Sequence, residues 1–432
     1  MFEPIYLIIF FSLFFLFTFI HIFKSDIFFS GVYFFLYLYV IFSMIGYAYF
    51  PDISESLHVY FGPQVFYEFF YFIFLSFIIF YLCFLFFYKS LIRKTSYGVK
   101  QVNKKTTFFY LFLFLHLIYL LLFTIINYDN LDYSLSSKKG ELFSGVNLPF
   151  SFFTIFFKLL PGINLLLYYL YRFKDPSTNS RENRYLVWIF LIEFIFFIAV
   201  SVKMGSRSDL VALIIAILVS EFSYRKVMLK LKLALPWGKI FLAFLLVLLA
   251  NELASIRNPD QNKSELNGPL ILQNDYYAPS HILVASIANN YIDPMKVLTS
   301  NLSNALVFIN EPYLQLEVMD LFIPNVLINR SSSYAFYIFT EGYLVMGFYG
   351  FIYNGMLLFF GLFLWRKLAN TPNNYFNIFV ISLISLQMIN IVRGQSSYLI
   401  KDVYMSFIPI LFLMYLYTGL RHTLSPYRSL KK

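Results

Sequence analysis

The chain has 432 residues, of which 59% are hydrophobic, 22% aromatic and only 13% charged. So little polar surface cannot cover a water-soluble globule of this size, so the chain is read as an α-helical protein of the bilayer. Its net charge of +10 sits between apolar runs rather than on one basic face, which makes it a topology signal and leaves no footprint for nucleic acid.

Nearly uncharged runs long enough to cross a hydrocarbon core recur from end to end, and about eleven transmembrane helices are expected from them. In chain order they cover residues 4–23, 27–50, 65–88, 107–127, 151–171, 185–202, 210–224 and 238–252, then 344–364, 378–392 and 403–420. The first run is too long for a cleaved leader and is read as a retained helix. The seventh, eighth and tenth are short and need interfacial extension or local thinning to cross. Cys83 is the single cysteine, so no internal disulfide framework is available.

Lys and Arg alternate between the ends of these runs. Roughly two thirds of the 33 basic residues fall on one face, grouped as Lys24, Lys89 to Lys105, Arg172 to Arg184, Arg225 to Lys239, Arg366 with Lys367, and Arg421 to Lys432. By the positive-inside rule that face is cytoplasmic, which puts the C-terminus inside and, with eleven spans, the N-terminus outside. The expected organisation is residues 1–252 as eight transmembrane helices, 253–343 as one large outer loop, and 344–432 as three further helices with a cytoplasmic tail. Turn signals at Asn258-Pro259, Asn267-Gly268-Pro269, Asp293-Pro294 and Glu311-Pro312 punctuate the loop. A connection that long normally carries function. Its stretches 281–291 and 294–309 have helical periodicity and are expected to be short amphipathic helices on the membrane surface.

Soluble-enzyme signatures are absent: there is no phosphate-binding G-x-x-x-x-G-K-[ST] loop, no G-x-S-x-G elbow, no H-E-x-x-H, no C-x-x-C and no G-x-G-x-x-G. The five histidines are scattered, which argues against a His-rich metal cage. What stands out is a set of outer-face cations near span ends: Lys203 and Arg207, Arg257, Arg330, and Arg393 with Lys401 nearby. They run against the charge bias of that face, and an anionic ligand would explain them. Guanidinium groups match phosphate oxygens in bidentate fashion and can neutralise a pyrophosphate as it leaves. The amides of Ser208 and Asp209, opening the seventh helix, add a helix N-terminus to the same environment.

Plainer readings stand beside these. A lone outer-face Arg also serves as a headgroup anchor or as a carboxylate partner. Lys158 inside the fifth span either snorkels or pairs with Glu193. Gly342, Gly347, Gly350, Gly355 and Gly361 form small-residue stripes suited to close helix packing. His281 is a solvated or structural side chain unless it acts as a general base.

Gly-Ser-Arg-Ser-Asp-Leu (205–210) opens one span, and a large outer loop precedes the antepenultimate one. Phe-Ile-Pro-Asn (322–325), Asn-Arg-Ser (329–331), Thr-Glu-Gly-Tyr (340–343) and Gly-Phe-Tyr-Gly (347–350) follow, with Arg393-Gly394 before the last span. This layout resembles the bacterial O-antigen polymerases, the oligosaccharide repeat unit polymerases. The resemblance implies a GT-C-like glycosyltransferase of the bacterial inner membrane that joins undecaprenyl-pyrophosphate-linked oligosaccharides at the periplasmic face. It further implies a flippase and a chain-length regulator as companions. The family's outer-face arginines carry over to Arg207, Arg330 and Arg393, with Arg257 and Lys203 beside them. The candidate bases are His281, Glu252, Asp209 and Glu341. No cofactor is expected, and arginines neutralising the leaving group would make a metal unnecessary. An O-antigen ligase and a flippase or transporter of polyprenyl-linked sugars remain open as alternatives.

Overall fold

The computed structural model describes residues 3–49, 62–91, 117–118, 121–122, 125, 162–165, 167–168, 180–203, 207–227, 238, 241, 280–305, 314–322, 337–369, 382–383, 385–386 and 396–397. Among them there is no strand. The helices are α1 (Pro4–Ser25), α2 (Ile27–Tyr49), α3 (Pro63–Leu91), α4 (Ser180–Lys203), α5 (Arg207–Val227), α6 (Ser280–Ala288), α7 (Pro294–Ala305), α8 (Leu314–Phe322), α9 (Ile338–Met346) and α10 (Gly350–Ala369). The expected spans at 107–127, 151–171, 238–252, 378–392 and 403–420 lie wholly or largely outside the described residues. Two compact units divide the chain: Met1–Ser96 with Pro259–Asn370 and Gln387–Lys401, and Tyr97–Asn258 with Thr371–Leu386 and Asp402–Lys432.

In the first unit, α1, α2 and α3 are each long and apolar enough to cross a membrane. Because almost every residue is apolar, hydrophobicity alone does not choose the inward face, and ring packing with a few polar contacts does so. Phe11, Phe15 and Ile22 of α1 are buried while Phe10, Leu13 and Phe17 are exposed. Phe15 stacks on Tyr37, Phe11 meets Phe77 edge-on and Tyr33 stacks on Phe80. Thr18 and Tyr33 share a buried hydrogen bond of 2.7 Å, and the Tyr37 hydroxyl donates to Ser12 at 2.8 Å. Asp26 breaks α1 from α2: its extended backbone ends the first helix and its Oδ1 accepts the Phe29 amide at 3.3 Å. Oδ2 of the same carboxylate accepts the Tyr88 hydroxyl at 2.8 Å, tying the turn to α3.

Between Glu68 and Lys89, α3 carries no charge. At 1.5 Å per residue that run covers about 30 Å, the thickness of a hydrocarbon core. It therefore supplies a depth scale for its neighbours, with Glu68 at one boundary and Lys89 at the other.

The stretch expected as a span from 344 to 364 lies within Ile338–Leu364, which is also long and apolar enough to cross a membrane, but it is not one straight helix. Helix starts earlier, at Ile338, and is broken by the 3₁₀ turn Gly347–Tyr349, where Gly347 has a φ of 59°. The chain then doubles back. Phe339 stacks on Phe77 near the middle of α3, Tyr343 and Phe348 both touch Phe72, and Phe359 reaches Phe80 and Phe87 toward the basic end. So α9 is a half-length helix running from mid-depth to the Glu68 boundary, and α10 returns across the hydrocarbon beside it. Their crossing is tight enough to exclude side chains: a Cβ on Gly350 would meet the Gly342 carbonyl, and one on Gly342 would meet Asn354. Asn354 fastens the pair, accepting the Gly342 amide at 3.1 Å and donating to the Phe339 carbonyl at 2.8 Å. On the other side, Gly355 brings α10 against Ser76 and Ile79 of α3. Gly342, Gly350 and Gly355 of the glycine stripe thus serve close packing, while Gly347 supplies the turn.

The loop helices also differ from expectation. An amphipathic surface helix was expected over 281–291, yet Ser280 through Ile287 of α6 are all buried, packed against α3 and α9. The reason is its composition: Ile282, Leu283, Val284, Ala285 and Ile287 leave no polar face to present to water. Helix α7 fits the amphipathic description better, exposing Met295, Leu298 and Leu302 while burying Val297, Ser300 and Ser303. Asp293 caps it by accepting the Lys296 amide at 3.0 Å, and the Asp293 amide donates to the Leu344 carbonyl at 2.8 Å. A Lys296–Glu317 pair at 3.1 Å joins α7 to α8 and raises the lysine pKa.

In the second unit α4 and α5 form helices over the stretches expected as spans 185–202 and 210–224 and pack on one another, but their apolar parts, Val187–Ile198 and Leu213–Phe222, are shorter than the candidate membrane spans of the first unit. Buried Glu221 accepts the Tyr168 hydroxyl at 2.9 Å and pairs with Arg225 at 3.0 Å. Buried Glu193 receives the Asn164 side-chain amide on its backbone carbonyl at 3.5 Å. Lys158, the expected partner of Glu193, lies outside the described residues.

Candidate functional site

Where α9 turns its first corner, Glu341 is fully buried. A carboxylate inside a membrane-spanning unit is costly unless its oxygens are satisfied, and here three separate segments converge to satisfy them. Oε1 accepts from Asn301 Nδ2 of α7 at 2.8 Å, from the Tyr353 hydroxyl of α10 at 2.8 Å and from Ser396 Oγ at 2.7 Å. Oε2 accepts the Ser396 backbone amide at 2.7 Å. Among the described residues no Lys or Arg comes within ion-pair distance of Glu341, and its partners there are hydrogen-bond donors.

Three of the four donors saturate Oε1, while Oε2 receives one and has no second donor among the described residues. Around the carboxylate a second group of polar atoms is buried with no hydrogen-bond partner among the described residues: Asn301 Oδ1, Thr340 Oγ1 and Ser397 Oγ. Each belongs to a donor of Glu341 or to its immediate chain neighbour. Unlike Glu341 itself, Asn301, Tyr353 and Ser396 are only half-buried, so the ring of donors is the open side of the cluster.

Of the four expected bases, Glu341 therefore stands in a built polar site. His281 is buried at 1% exposure in the first turn of α6, so the solvated reading does not hold, and α6 packs on the same helix α9 that carries Glu341. Asp209 lies in the first turn of α5, in the second unit, with its side chain outside the description, and Glu252 is outside it altogether. Arg207 opens α5 and Lys203 closes α4, again without described side chains, while Arg257, Arg330 and Arg393 fall outside the described residues. Among the described residues no three His, Cys, Asp or Glu groups gather to hold a metal.

Sequence reasoning missed Asn301, Tyr353, Ser396 and Ser397. Asn301 falls in the stretch expected as an amphipathic surface helix, Ser396 follows the Arg393-Gly394 turn, and Tyr353 is one of 36 tyrosines. The available signal was Glu341 itself: a single carboxylate in an otherwise apolar stretch requires donors from elsewhere.

Among the described residues, fold and site together define an all-helical protein with helices long and apolar enough to cross a membrane and a buried, hydrogen-bonded carboxylate packed among them. No protein-family model matches the sequence, and no curated protein or solved structure is similar to it.

Proposed function

We propose that this chain is a membrane glycosyltransferase that polymerises undecaprenyl-pyrophosphate-linked oligosaccharide repeat units into an O-antigen polysaccharide. In this reading about eleven helices form a GT-C-like fold in the bacterial inner membrane, with the N-terminus periplasmic and the C-terminus cytoplasmic. The observation that carries it is Glu341, a carboxylate fully enclosed on a half-length helix just inside the acidic boundary of the apolar layer. Intramembrane ionisable residues with dedicated donors mark ligand sites, and this one lies in the Thr-Glu-Gly-Tyr segment through which the sequence resembles the polymerases.

The reaction needs two chains at one face. A hydroxyl oxygen of the acceptor repeat attacks the anomeric carbon of the donor, whose bond to the pyrophosphate oxygen breaks. The electron pair of that bond leaves with the lipid pyrophosphate, and the hydroxyl proton passes to a base. Arg207, Arg257, Arg330, Arg393 and Lys203 are the cations of this chain suited to the departing charge. A donor already activated as a pyrophosphate needs no nucleotide, which accords with the missing nucleotide motifs. The lipid-linked oligosaccharide is the proposed partner, with a flippase supplying it and a chain-length regulator setting how far it grows.

Deleting the gene and resolving the surface polysaccharide on a gel tests the proposal. Caps of a single repeat unit are the expected result. Uncapped core with accumulated lipid-linked polymer would reassign the chain to ligation, and loss of every outer-face product would reassign it to transport.

A further inference from the structure

We infer that the Glu341 cluster is a glycan site which takes hydroxyl groups of a sugar and rejects phosphate; the inference rests on the glycosyltransferase reading. Three observations lead to it. The carboxylate has no cation beside it among the described residues, so a phosphate brought to the same donors would meet an unbalanced negative charge in a poorly screened environment. A neutral sugar brings no such charge.

Next, the polar atoms left over have the complementarity a diol requires. Among the described residues, Oε2 of Glu341 has an acceptor direction unused, Asn301 Oδ1 is a second acceptor, and Ser397 Oγ offers both a donor and an acceptor. Ser397 is 2% exposed and Glu341 is 0% exposed, so none of these atoms is supplied by bulk water. Polar atoms buried without partners are rare because each forfeits its hydration, and those of Asn301, a donor of Glu341, and of Ser397, next in the chain to a donor, call for a bound polar group.

Lastly, the cluster opens through groups that can move aside without unfolding a helix. The Tyr353 and Asn301 side chains and the Ser396 hydroxyl are half-buried, and each reaches Glu341 through a side-chain bond that a sugar hydroxyl can replace. The Ser396 backbone amide holds Oε2 in place meanwhile. Within the proposed reaction this assigns Glu341 to the sugar and leaves the pyrophosphate to cations elsewhere.

The test uses the full chain purified in detergent and two probes. One is the oligosaccharide that mild acid releases from the lipid-linked precursors of the producing cells; the other is farnesyl pyrophosphate. Binding is read by ligand-observed NMR and calorimetry. Glu341→Gln removes the charged acceptor and is expected to weaken oligosaccharide binding at least about tenfold. Ser397→Ala removes a hydroxyl that has no protein partner, so its thermal midpoint should stay at the wild-type value while oligosaccharide binding falls about two- to tenfold. Farnesyl pyrophosphate should bind both variants as it binds wild type. If wild type binds the oligosaccharide and Ser397→Ala binds it equally well, the glycan site is overturned while the glycosyltransferase reading stands. Loss of farnesyl pyrophosphate binding in these variants would overturn it too, in favour of a phosphate site. Failure of wild type to bind the oligosaccharide, together with unaltered surface polysaccharide in the deletion strain, would overturn the reading beneath it.

Discussion

At the scale of single residues, the contrast is between a carboxylate that is held and cations whose work must be read from function. Glu341 accepts four hydrogen bonds from three segments, so it acts where it stands. For Arg207, Arg330 and Arg393, chemistry discriminates between two roles. A guanidinium that grips pyrophosphate in a bidentate fork loses that geometry on Arg→Lys although the charge remains. A headgroup anchor does not, because lysine snorkels equally well. If the three arginines stabilise the leaving group, each Arg→Lys change should cut polymerisation by about 30-fold to 1000-fold, corresponding to about 2 to 4 kcal/mol of transition-state stabilisation. Polysaccharide ladders at matched membrane abundance provide the measurement. Wild-type ladders from all three lysine variants would return these residues to anchoring.

At the scale of elements, the α9–α10 hairpin is what places Glu341. A straight helix from Ile338 onward would carry Phe339 and Asn354 far apart along its axis, whereas here Asn354 donates to the Phe339 carbonyl at 2.8 Å. Three features force the reversal: the positive φ of Gly347, the contact of Gly342 with Gly350, and the Asn354 bridge. Gly342→Ala should destabilise the protein by about 1 to 3 kcal/mol, since the added methyl meets Asn354 and the α10 backbone. Asn354→Ala removes both bridging bonds from a buried backbone amide and carbonyl, and a loss of similar size, about 1 to 3 kcal/mol, is expected. Thermal unfolding in detergent checks both. An unchanged midpoint for Asn354→Ala would mean that the bridge is dispensable and the turn is held by Gly347 and the Gly342–Gly350 contact.

At the scale of the whole molecule, the question is which side of the membrane holds the cluster. In the first unit α1 and α3 run parallel, with Glu3 and Glu68 toward one boundary and Lys24 and Lys89 toward the other, and α10 directs Lys367 toward the Lys89 end. In the proposed orientation, with the basic ends cytoplasmic, Glu341 falls in the outer half of the layer. Reporter fusions after Lys105, Arg181 and Lys232 should read cytoplasmic, and one after Asn289 periplasmic. A periplasmic signal at Lys232 would reverse the orientation of the second half of the chain.

The helical class and the places of α1, α2, α3, α4 and α5 were legible in the sequence, because length and apolarity decide whether a segment enters a bilayer, and both are local properties. Glu341 was also legible as a carboxylate in an apolar stretch. Its donors were not: Asn301, Tyr353 and Ser396 stand 40, 12 and 55 residues from it, and no local pattern links such positions. The enclosure of α6 and the doubling back at Gly347 were equally hidden. In lipid an apolar helix gains nothing from hydrophobic pattern when choosing its neighbours, so packing is settled by backbone contacts at Gly342, Gly350 and Gly355 and by polar bonds across helices. Such contacts exist only once the chain is folded. The sequence by itself determined helices long and apolar enough to cross a membrane, because length and apolarity are local; the tertiary structure decided that Glu341 is enclosed on a half-helix with donors from distant segments.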